Sequence, residues 1–557
     1  MAGVDVITYE VLRARLDGIV REMEVAVMRT GFSTIVRESR DFSCCLTDHE
    51  GQVVGQGGHP SHMGAYPESV RGLLQFFSLD DMADGDAFLI NHPYYSGCPH
   101  ANDMVVLTPV MDEGRVVAFA SSMGHTPDIG GVAAGSRNAT ARDLFGEGLQ
   151  LFPMRFMREH CLLQDAASIV RANSRVPDMM IGDLSAKAGV CFSIGVARLQ
   201  ETMDVYSVPV VLETFEALGD RAEELARSEI EKWQDGAYEA EAWVDDPSDP
   251  DHPVRLHVAA IKEGDRLVMD FTGTGDQVAA PINVRPPLLI GMALNGLIAM
   301  TDPHMPNNHG LMRAVECRFR PGSLINPVFP GPVGFYSKTV AIVESVIMSA
   351  LSKASGRPAL AHGSTQSSIV VGSAGEGSRQ YVQYELLMSG SGAYEGGDGY
   401  TGTNHGFSGS AKYTSIEIIE SEFAVEMEEF ALIPDTGGAG AFRGGLGFSR
   451  QYRVLSEARL SGGAAKRESQ GAGGGEHGSN AYVIVHPGTD REQRYPGIVS
   501  NVGLRPGDVY RIETAGGGGV NPPHQRDPER VAEDILDGYI TTEAAREVYG
   551  MDGRIGR

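Results

Sequence analysis

Asn91–Gly131 reads NHPYYSGCPHANDMVVLTPVMDEGRVVAFASSMGHTPDIGG. Val105, Val106, Leu107 and Val110 form one apolar run, and Val116, Val117, Phe119 and Ala120 form a second. Asp112-Glu113-Gly114 between them is a turn signal, so the stretch reads as a β-hairpin. A two-residue loop at Glu113-Gly114 pairs Asp103 with Gly124; a three-residue loop with Gly114 left-handed pairs it with Met123. In either register Asp103 and His125 emerge at one end of the ribbon, with His100 beside them. Cross-strand neighbours lie roughly 5 Å apart, close enough to share an ion. His100, Asp103 and His125 are therefore a candidate two-histidine, one-carboxylate metal site. The ordinary alternative is a hydrogen-bonded loop histidine and a turn-forming aspartate. Pro99, Pro127 and the glycines at 97, 124, 130 and 131 make both flanks tightly turned, as a preorganised site on loops needs.

Upstream, Leu12, Leu16, Ile19, Val20, Met23 and Val27 recur at helical spacing and predict an amphipathic helix from about Thr8 to Arg29. Phe42–Leu46 and Val53–Val54 flank the turn Asp48-His49-Glu50-Gly51, a second hairpin with Asp41 at its entrance. His59 and His62 follow in GGHPSHMGAYPESV, where Pro67 opens a helix through Phe77. Six of the 16 histidines fall in the first 125 residues, which makes this part the expected seat of metal chemistry.

Downstream, a helical stretch after Pro177 runs to about 205, a charged helix follows near 211–235, and VDDPSDPDHP at 244–253 marks a loop and a boundary. Strands surround the turn Gly264-Asp265, and residues 284–300 and 339–353 are apolar enough to be buried helices. From Pro434 the chain turns glycine-dense in PDTGGAGAFRGGLGF, SGGAAKRESQGAGGGEHGS and ETAGGGGVNPP, a composition suited to tight turns and close backbone approach. No GxxxxGK[ST] occurs, nor a GxGxxG after a strand, so no nucleotide site is expected in this chain. Asp527-Pro528 and Thr541 cap two final helices. Hairpins outnumber strand–helix–strand units, so the expected fold is α+β, with mixed and antiparallel sheets, packed helices and a glycine-rich β region at the C-terminus. Three domains are expected: residues 1–205 with the metal site, a central 206–430 and a glycine-rich 431–557.

The 557 residues carry 73 acidic against 46 basic side chains, a net charge of −27, which argues against nucleic acid or an anionic membrane as a partner. Six cysteines occur without a CxxC pair, the N-terminus shows no signal peptide, and no apolar run reaches about 18 residues. A cytoplasmic protein with reduced thiols and no membrane span is expected.

The segments RESRDFSCCL, HMGAYPESV, PHAND, HTPDIGG, ANSRVPDMMIGDL, DFTGTG, GSLINP, IIESEFAVEMEEFALIPDTGGAGAFRGGLG, LRPGDVYRIETAGGGG and RDPERVAEDILDGYITTEAAREVYG span nearly the whole chain. In these the sequence resembles the B-type component of the hydantoinase/oxoprolinase family, which is related to the α subunits of acetone and acetophenone carboxylases. The resemblance implies one divalent metal (Zn, Mn or Fe) on Asp41, His100, Asp103 and His125; Asp41 enters only through it. It also implies a hydantoinase A-type ATPase partner supplying ATP and Mg chemistry, in a hetero-oligomer such as a dimer of heterodimers. The implied activity is ATP-dependent hydrolysis of a cyclic amide (a hydantoin, N-methylhydantoin, 5-oxoproline or a lactam). His59 and His62 are then candidates for general acid–base work or for supporting the metal ligands, beside an equally ordinary structural role. A ketone carboxylase α subunit is the alternative, and a non-catalytic scaffold a third reading; the modest chain length favours the hydrolase. The sequence departs from the family in His92, where an aspartate is usual, in the longer SGCPH link, in the single His125 before Thr126, and in His309. His92 is open between an extra ligand, a partner to a ligand and a loop histidine.

Overall fold

Asp5 opens the first helix by accepting from the amides of Ile7 and Thr8, the local bond that makes aspartate a strong N-cap. Helix α1 (Val6–Thr30) buries Leu12, Leu16, Ile19, Val20, Met23 and Val27, the stripe its spacing predicts. The structure, a computed structural model, describes residues 4–249, 251–364, 367–374, 380–403, 411–463 and 468–551. Residue 250 of the expected 244–253 loop and residues 464–467 of the second glycine-dense segment lie outside the described residues, as do the first three.

Seven antiparallel strands make the first sheet: β1 (Phe42–Asp48), β2 (Val53–Gly58), β3 (Ala87–Ile90), β4 (Asp103–Asp112), β5 (Arg115–His125), β6 (Met154–Arg158) and β7 (Cys161–Leu162). Their order is β2-β1-β5-β4-β3-β6-β7. Val105, Leu107, Phe119 and Met123 enter one core, while Met104, Val106, Ala118 and Ala120 enter cores on the other face. Because both faces are covered, β4 and β5 read as apolar runs rather than as alternation. Around the sheet lie α2 (Ala65–Leu74), α3 (Pro93–Ser96), α4 (Gln164–Ala172), α5 (Pro177–Val190), α6 (Ala197–Tyr206) and α7 (Val208–Glu231). A π-helical turn, Cys191–Val196, joins α5 to α6. The resulting stretch Pro177–Tyr206 has the length and apolarity of a membrane span, but 56% of its most apolar window is buried inside the protein, as in a core helix.

The hairpin register at Asp103 differs from both expected forms, by one residue from the first and by two from the second. Asp112 pairs with Arg115, so the loop is the two-residue Glu113-Gly114, both with positive φ. The register then slips between Val110, which faces Ala118, and Met111, which faces Val116. Val117 is the extra residue of a β-bulge. The slip carries Asp103 directly opposite His125.

A second sheet has the order β11-β10-β9-β8, from β8 (Gly236–Val244), β9 (Val254–Glu263), β10 (Arg266–Asp270) and β11 (Val315–Arg318). It shares a core with the first sheet through α8 (Pro286–Met300) and α10 (Ser337–Ser355); the short α9 (His309–Ala314) packs on α7. Helix α8 buries Leu288, Leu289, Met292, Ala293, Leu294 and Leu297, nearly all round, as its composition requires. It is seated by two glycines. A Cβ on Gly291 would stand 2.3 Å from the Ser61 carbonyl oxygen, and one on Gly64 would stand 2.0 Å from that of Pro287. Gly291→Val should therefore push α8 off the turn carrying His59 and His62 and destabilise the protein by about 1–3 kcal/mol. A denaturation midpoint equal to that of the parent protein would show that the contact is not needed.

Two antiparallel sheets complete the chain. One is ordered β13-β12-β16-β19 and the other β14-β15-β20-β17-β18. Their strands are β12 (Ser367–Ser373), β13 (Val382–Leu387), β14 (Val425–Leu432), β15 (Phe448–Val454), β16 (Ala458–Gly463), β17 (Tyr482–Val485), β18 (Gln493–Pro496), β19 (Ile498–Leu504) and β20 (Val509–Glu513). They share one core, with α11 (Ile416–Glu422) against it. Between strands, glycine segments pack backbone on backbone: Gly438 N donates to Gly517 O, Gly517 N to Gly445 O, Gly518 N to His362 O and Gly519 N to Glu476 O. A Cβ on Gly517 would meet the Ser391 carbonyl oxygen at 1.9 Å. Asp527 and Thr541 cap α12 (Pro528–Leu536) and α13 (Thr542–Glu547), as their sequence predicts. The fold is α+β, with antiparallel and mixed sheets, packed helices and strands gathered toward the C-terminus.

Candidate metal centre

Three neighbouring strand ends bring the candidate ligands together. Asp103 begins β4 opposite His125, the last residue of β5. Asp41 precedes β1, which pairs with β5, and its carbonyl accepts from the His125 amide at 3.0 Å. His100 arrives from the turn before β4, its carbonyl accepting from the Asp103 amide at 3.1 Å. Its Nε2 lies 3.2 Å from Asp103 Oδ2, and the His100 and His125 rings are 5.0 Å apart.

Protonation follows from the partners. His100 Nδ1 lies 3.2 Å from the Gly334 carbonyl, which can only accept, so Nδ1 carries a proton and Nε2 is the ring nitrogen turned to Asp103. Nε2 and Asp103 Oδ2 face each other, and neither has another partner among the described residues. Neither ring nitrogen of His125 has a partner, although the residue is 2% exposed. Buried polar atoms left without partners are destabilising unless a ligand takes them up. Burial would raise the Asp103 carboxyl, but the fields of His100, His125 and His62 hold it below the ordinary range. Burial and the Asp103 carboxylate push Asp41 up to about 7. Burial, then His100, lowers His125. Imidazoles and carboxylates are the ligand types of Zn, Mn or Fe sites. As the side chains stand, no three His, Cys, Asp or Glu groups among the described residues close on one point at ligand distances; the orphaned atoms are what fit an ion.

His59 and His62 sit one layer away. His59 precedes the short 3-10 turn Pro60–Gly64, His62 lies within it, and their rings stack at 4.4 Å. His62 Nδ1 bonds Ser43 Oγ at 2.8 Å, and His59 Nδ1 bonds Ser61 Oγ at 2.9 Å. Burial, against the opposing pull of Asp103, drops His62 to about 4, so it is neutral at physiological pH.

His92 stands apart from the cluster. Its Nδ1 accepts from the Tyr94 amide and caps α3, and its ring packs among Tyr95, Phe152 and Phe329. Those contacts are those of a loop histidine. His309 likewise bonds the Val53 carbonyl and Arg313.

Sequence reasoning missed several neighbours. Lys187 of α5 is buried and donates to the Gly124 carbonyl at 2.9 Å, beneath the end of β5. A lone lysine in an apolar helix was the available signal. Tyr336 packs on His100 at 4.9 Å and Tyr384 on His125 at 4.4 Å. They come from more than 200 residues away, and no local pattern announces them. The described surface clefts, of about 230, 860 and 680 Å³, are lined by none of Asp41, His100, Asp103 or His125.

Comparison with known proteins comes from two directions. The sequence model for hydantoinase B/oxoprolinase matches residues 5–523. The B component of a putative D-/L-hydantoinase of Pseudomonas sp. is 29% identical over 98% of this chain and 95% of its own. The β subunit of the caprolactamase of Pseudomonas jessenii is 28% identical over 99% of this chain and 97% of its own. The crystal structure of the ATP-dependent caprolactamase from Pseudomonas jessenii superposes with a TM-score of 0.90 at 26% identity, covering 100% of this chain and 98% of the other. A nucleotide-free acetone carboxylase structure also reaches 0.90, at 19% identity and with 99% and 80% covered, a likeness of fold.

Proposed function

The chain belongs to the hydantoinase B/oxoprolinase family, and from that footing we propose that it completes the ring opening of a cyclic amide activated by a partner ATPase. The observation that carries the reading is the cluster of buried, partnerless donors on His100, Asp103 and His125. The Pseudomonas jessenii caprolactamase, matched over nearly its full length, supports the substrate class. The relatives are named as single components of larger enzymes, which supports a second chain in a hetero-oligomer.

In this reading His100, Asp103, His125 and Asp41 hold one divalent ion, Zn, Mn or Fe. When bound, such an ion supplies Lewis acidity and lowers the pKa of water from 15.7 to about 7. The Gly334 carbonyl fixes the His100 tautomer so that Nε2 is free to coordinate. Lys187 holds the strand end carrying His125 through the Gly124 carbonyl, and its charge balances Asp103 and Asp41. An amide carbon is a poor electrophile, so the partner spends ATP and Mg chemistry to place a phosphoryl group on the carbonyl oxygen. Water then adds to that carbon and the C–N bond breaks as the ring nitrogen takes up a proton; a second water releases phosphate from the acyl phosphate so formed and leaves the free carboxylate. His59 and His62 are assigned the proton transfers; His62, neutral and held by Ser43, is the acceptor at physiological pH.

The test is a reconstitution with the ATPase partner, ATP and a panel of hydantoin, 5-oxoproline and lactam. Ring opening should consume ATP without bicarbonate. Labelled bicarbonate entering a ketone product, with no turnover of any cyclic amide, would establish the carboxylase instead.

A further inference from the structure

Glu147 ends the short turn Leu144–Glu147, which Asp143 caps by accepting from the Gly146 amide. It is 3% exposed, and its Oε1 accepts from the Gly334 amide at 2.6 Å. Its other oxygen has no partner among the described residues. Burial pushes the carboxyl up to about 8, against the pull of the Gly334 and Val333 amides and of Arg137. A buried acid with one oxygen left unfilled is destabilising where it stands, and no step of the proposed reaction uses it.

Its contact falls on the residue that holds His100. The Gly334 carbonyl lies 3.2 Å from His100 Nδ1 and accepts from Arg137 Nη1 at 2.8 Å, which uses both of its lone pairs. On either side the loop is pinned to its neighbours: Leu144 N donates to the Pro330 carbonyl at 2.8 Å, and Phe335 N to the Pro281 carbonyl at 2.7 Å. Between those pins the Gly334 amide is held by Glu147. The fit is close. A Cβ on Gly334 would stand 3.0 Å from Glu147 Oε1, so glycine is what lets the carboxyl lie against this backbone. The same turn reaches the other histidine. Just past Gly148, Leu149 N donates to the carbonyl of Ile129 at 2.9 Å, in the loop that follows His125. Glu147 therefore stands between the segment that holds His100 and the one that leaves His125.

We propose that Glu147 is a positioning residue for His100, a role that rests on the metal site proposed above. Its carboxyl holds the Gly334 amide, the Gly334 carbonyl holds Nδ1, and Nε2 is thereby kept turned to Asp103 and the ion they share. The physical reason is directional. A ligand has to be held within about 10–20° of its productive direction by groups that are themselves fixed. The Gly334 carbonyl can do this only while its own loop is still, and a glycine backbone has the most freedom to lose. Glu147 removes that freedom at the residue where it matters for His100.

Calorimetric titration of the metal-free full-length chain with zinc tests it, with cobalt absorption as a second reading. His100→Ala marks which binding belongs to the centre. Glu147→Leu keeps the volume and removes the acceptor. It should weaken His100-dependent zinc binding about tenfold, the low end of the 10–100-fold typical of groups that touch a ligand directly, because Glu147 acts through Gly334. Glu147→Gln, which keeps an oxygen for the Gly334 amide, should recover most of that loss. Gly334→Ala presses on the same contact from the other side with the carboxyl in place, and should weaken binding severalfold. In Glu147→Leu and Gly334→Ala the cobalt bands should shift, because the direction of one ligand has changed. A lowered denaturation midpoint with zinc affinity and cobalt bands unchanged is the result of a merely structural carboxyl and overturns the role, as does equal affinity in all folded variants. Zinc binding that survives His100→Ala, or no saturable binding by the parent chain, overturns the metal reading itself and the role with it.

Discussion

Alanine at both His100 and His125 is expected to leave the purified protein without its divalent ion and the reconstituted complex without ring-opening activity. Removing a group that merely supports a metal ligand typically lowers affinity or activity 10–100-fold, so losing two ligands should exceed about 100-fold in each. The fold should survive. The four ring nitrogens make one hydrogen bond in the free protein, His100 Nδ1 to Gly334, so the variant removes unsatisfied polar atoms rather than supports. Elemental analysis alongside circular dichroism reads both outcomes. Full metal occupancy in the double variant would place the ion elsewhere.

The second large effect concerns stability. Glu385 of β13 and Arg450 of β15 join the two C-terminal sheets through a 2.6 Å ion pair in which each side chain is 2% exposed. The carboxylate also accepts from Tyr452 Oη at 2.8 Å and from Gln383 Nε2 at 2.5 Å. The guanidinium lies 4.4 Å over Phe430 and 4.9 Å over Tyr413. Glu385→Ala would strand the guanidinium in the interior without a counter-charge, a loss of about 3–5 kcal/mol. Replacing both residues by apolar ones of similar volume should be milder than either single change, because no charge is then left buried. Urea unfolding, followed by hydrogen exchange in β12 to β20, measures it. A single variant within about 1 kcal/mol of the parent would show that water reaches the pair.

Much of this architecture was legible in the sequence where one element carried its own signal. The α1 stripe, the Glu113-Gly114 loop, the Gly264-Asp265 turn and the Asp527 and Thr541 caps each need only neighbouring residues. The hairpin told that Asp103 and His125 share an end, yet missed their register, because the bulge at Val117 has no glycine or proline to mark it. Asp41 carried no signal of its own. It reaches the site because β1 pairs with β5, an antiparallel contact across about eighty residues that no local pattern encodes. Glu147 and Tyr384 are the same case further out. They reach the two histidines through the packing of distant segments, and nothing in their own segments points to it. The glycine-dense segments were readable as close backbone approach, and that is what Gly517 and its neighbours show.

The glycine layer also sets an order of events during synthesis. Its four strips, around 390, 440, 475 and 517, bond to one another across long sequence separations. The last of them, Gly516–Gly519, threads between the other three: Gly517 takes the Gly438 and Gly445 contacts and Gly518 those of His362 and Ala393. None of the earlier strips can therefore close its layer until the ribosome has made nearly the entire chain. At about 5–20 residues per second, the 127 residues from Ser391 to Gly517 take roughly 6–25 s to emerge. Throughout that interval, glycine backbones with no side chains to shield them present unpaired amides and carbonyls. The first sheet, complete by Leu162, has no such wait. The protein is thus built with its first sheet ready early and its glycine seal made last.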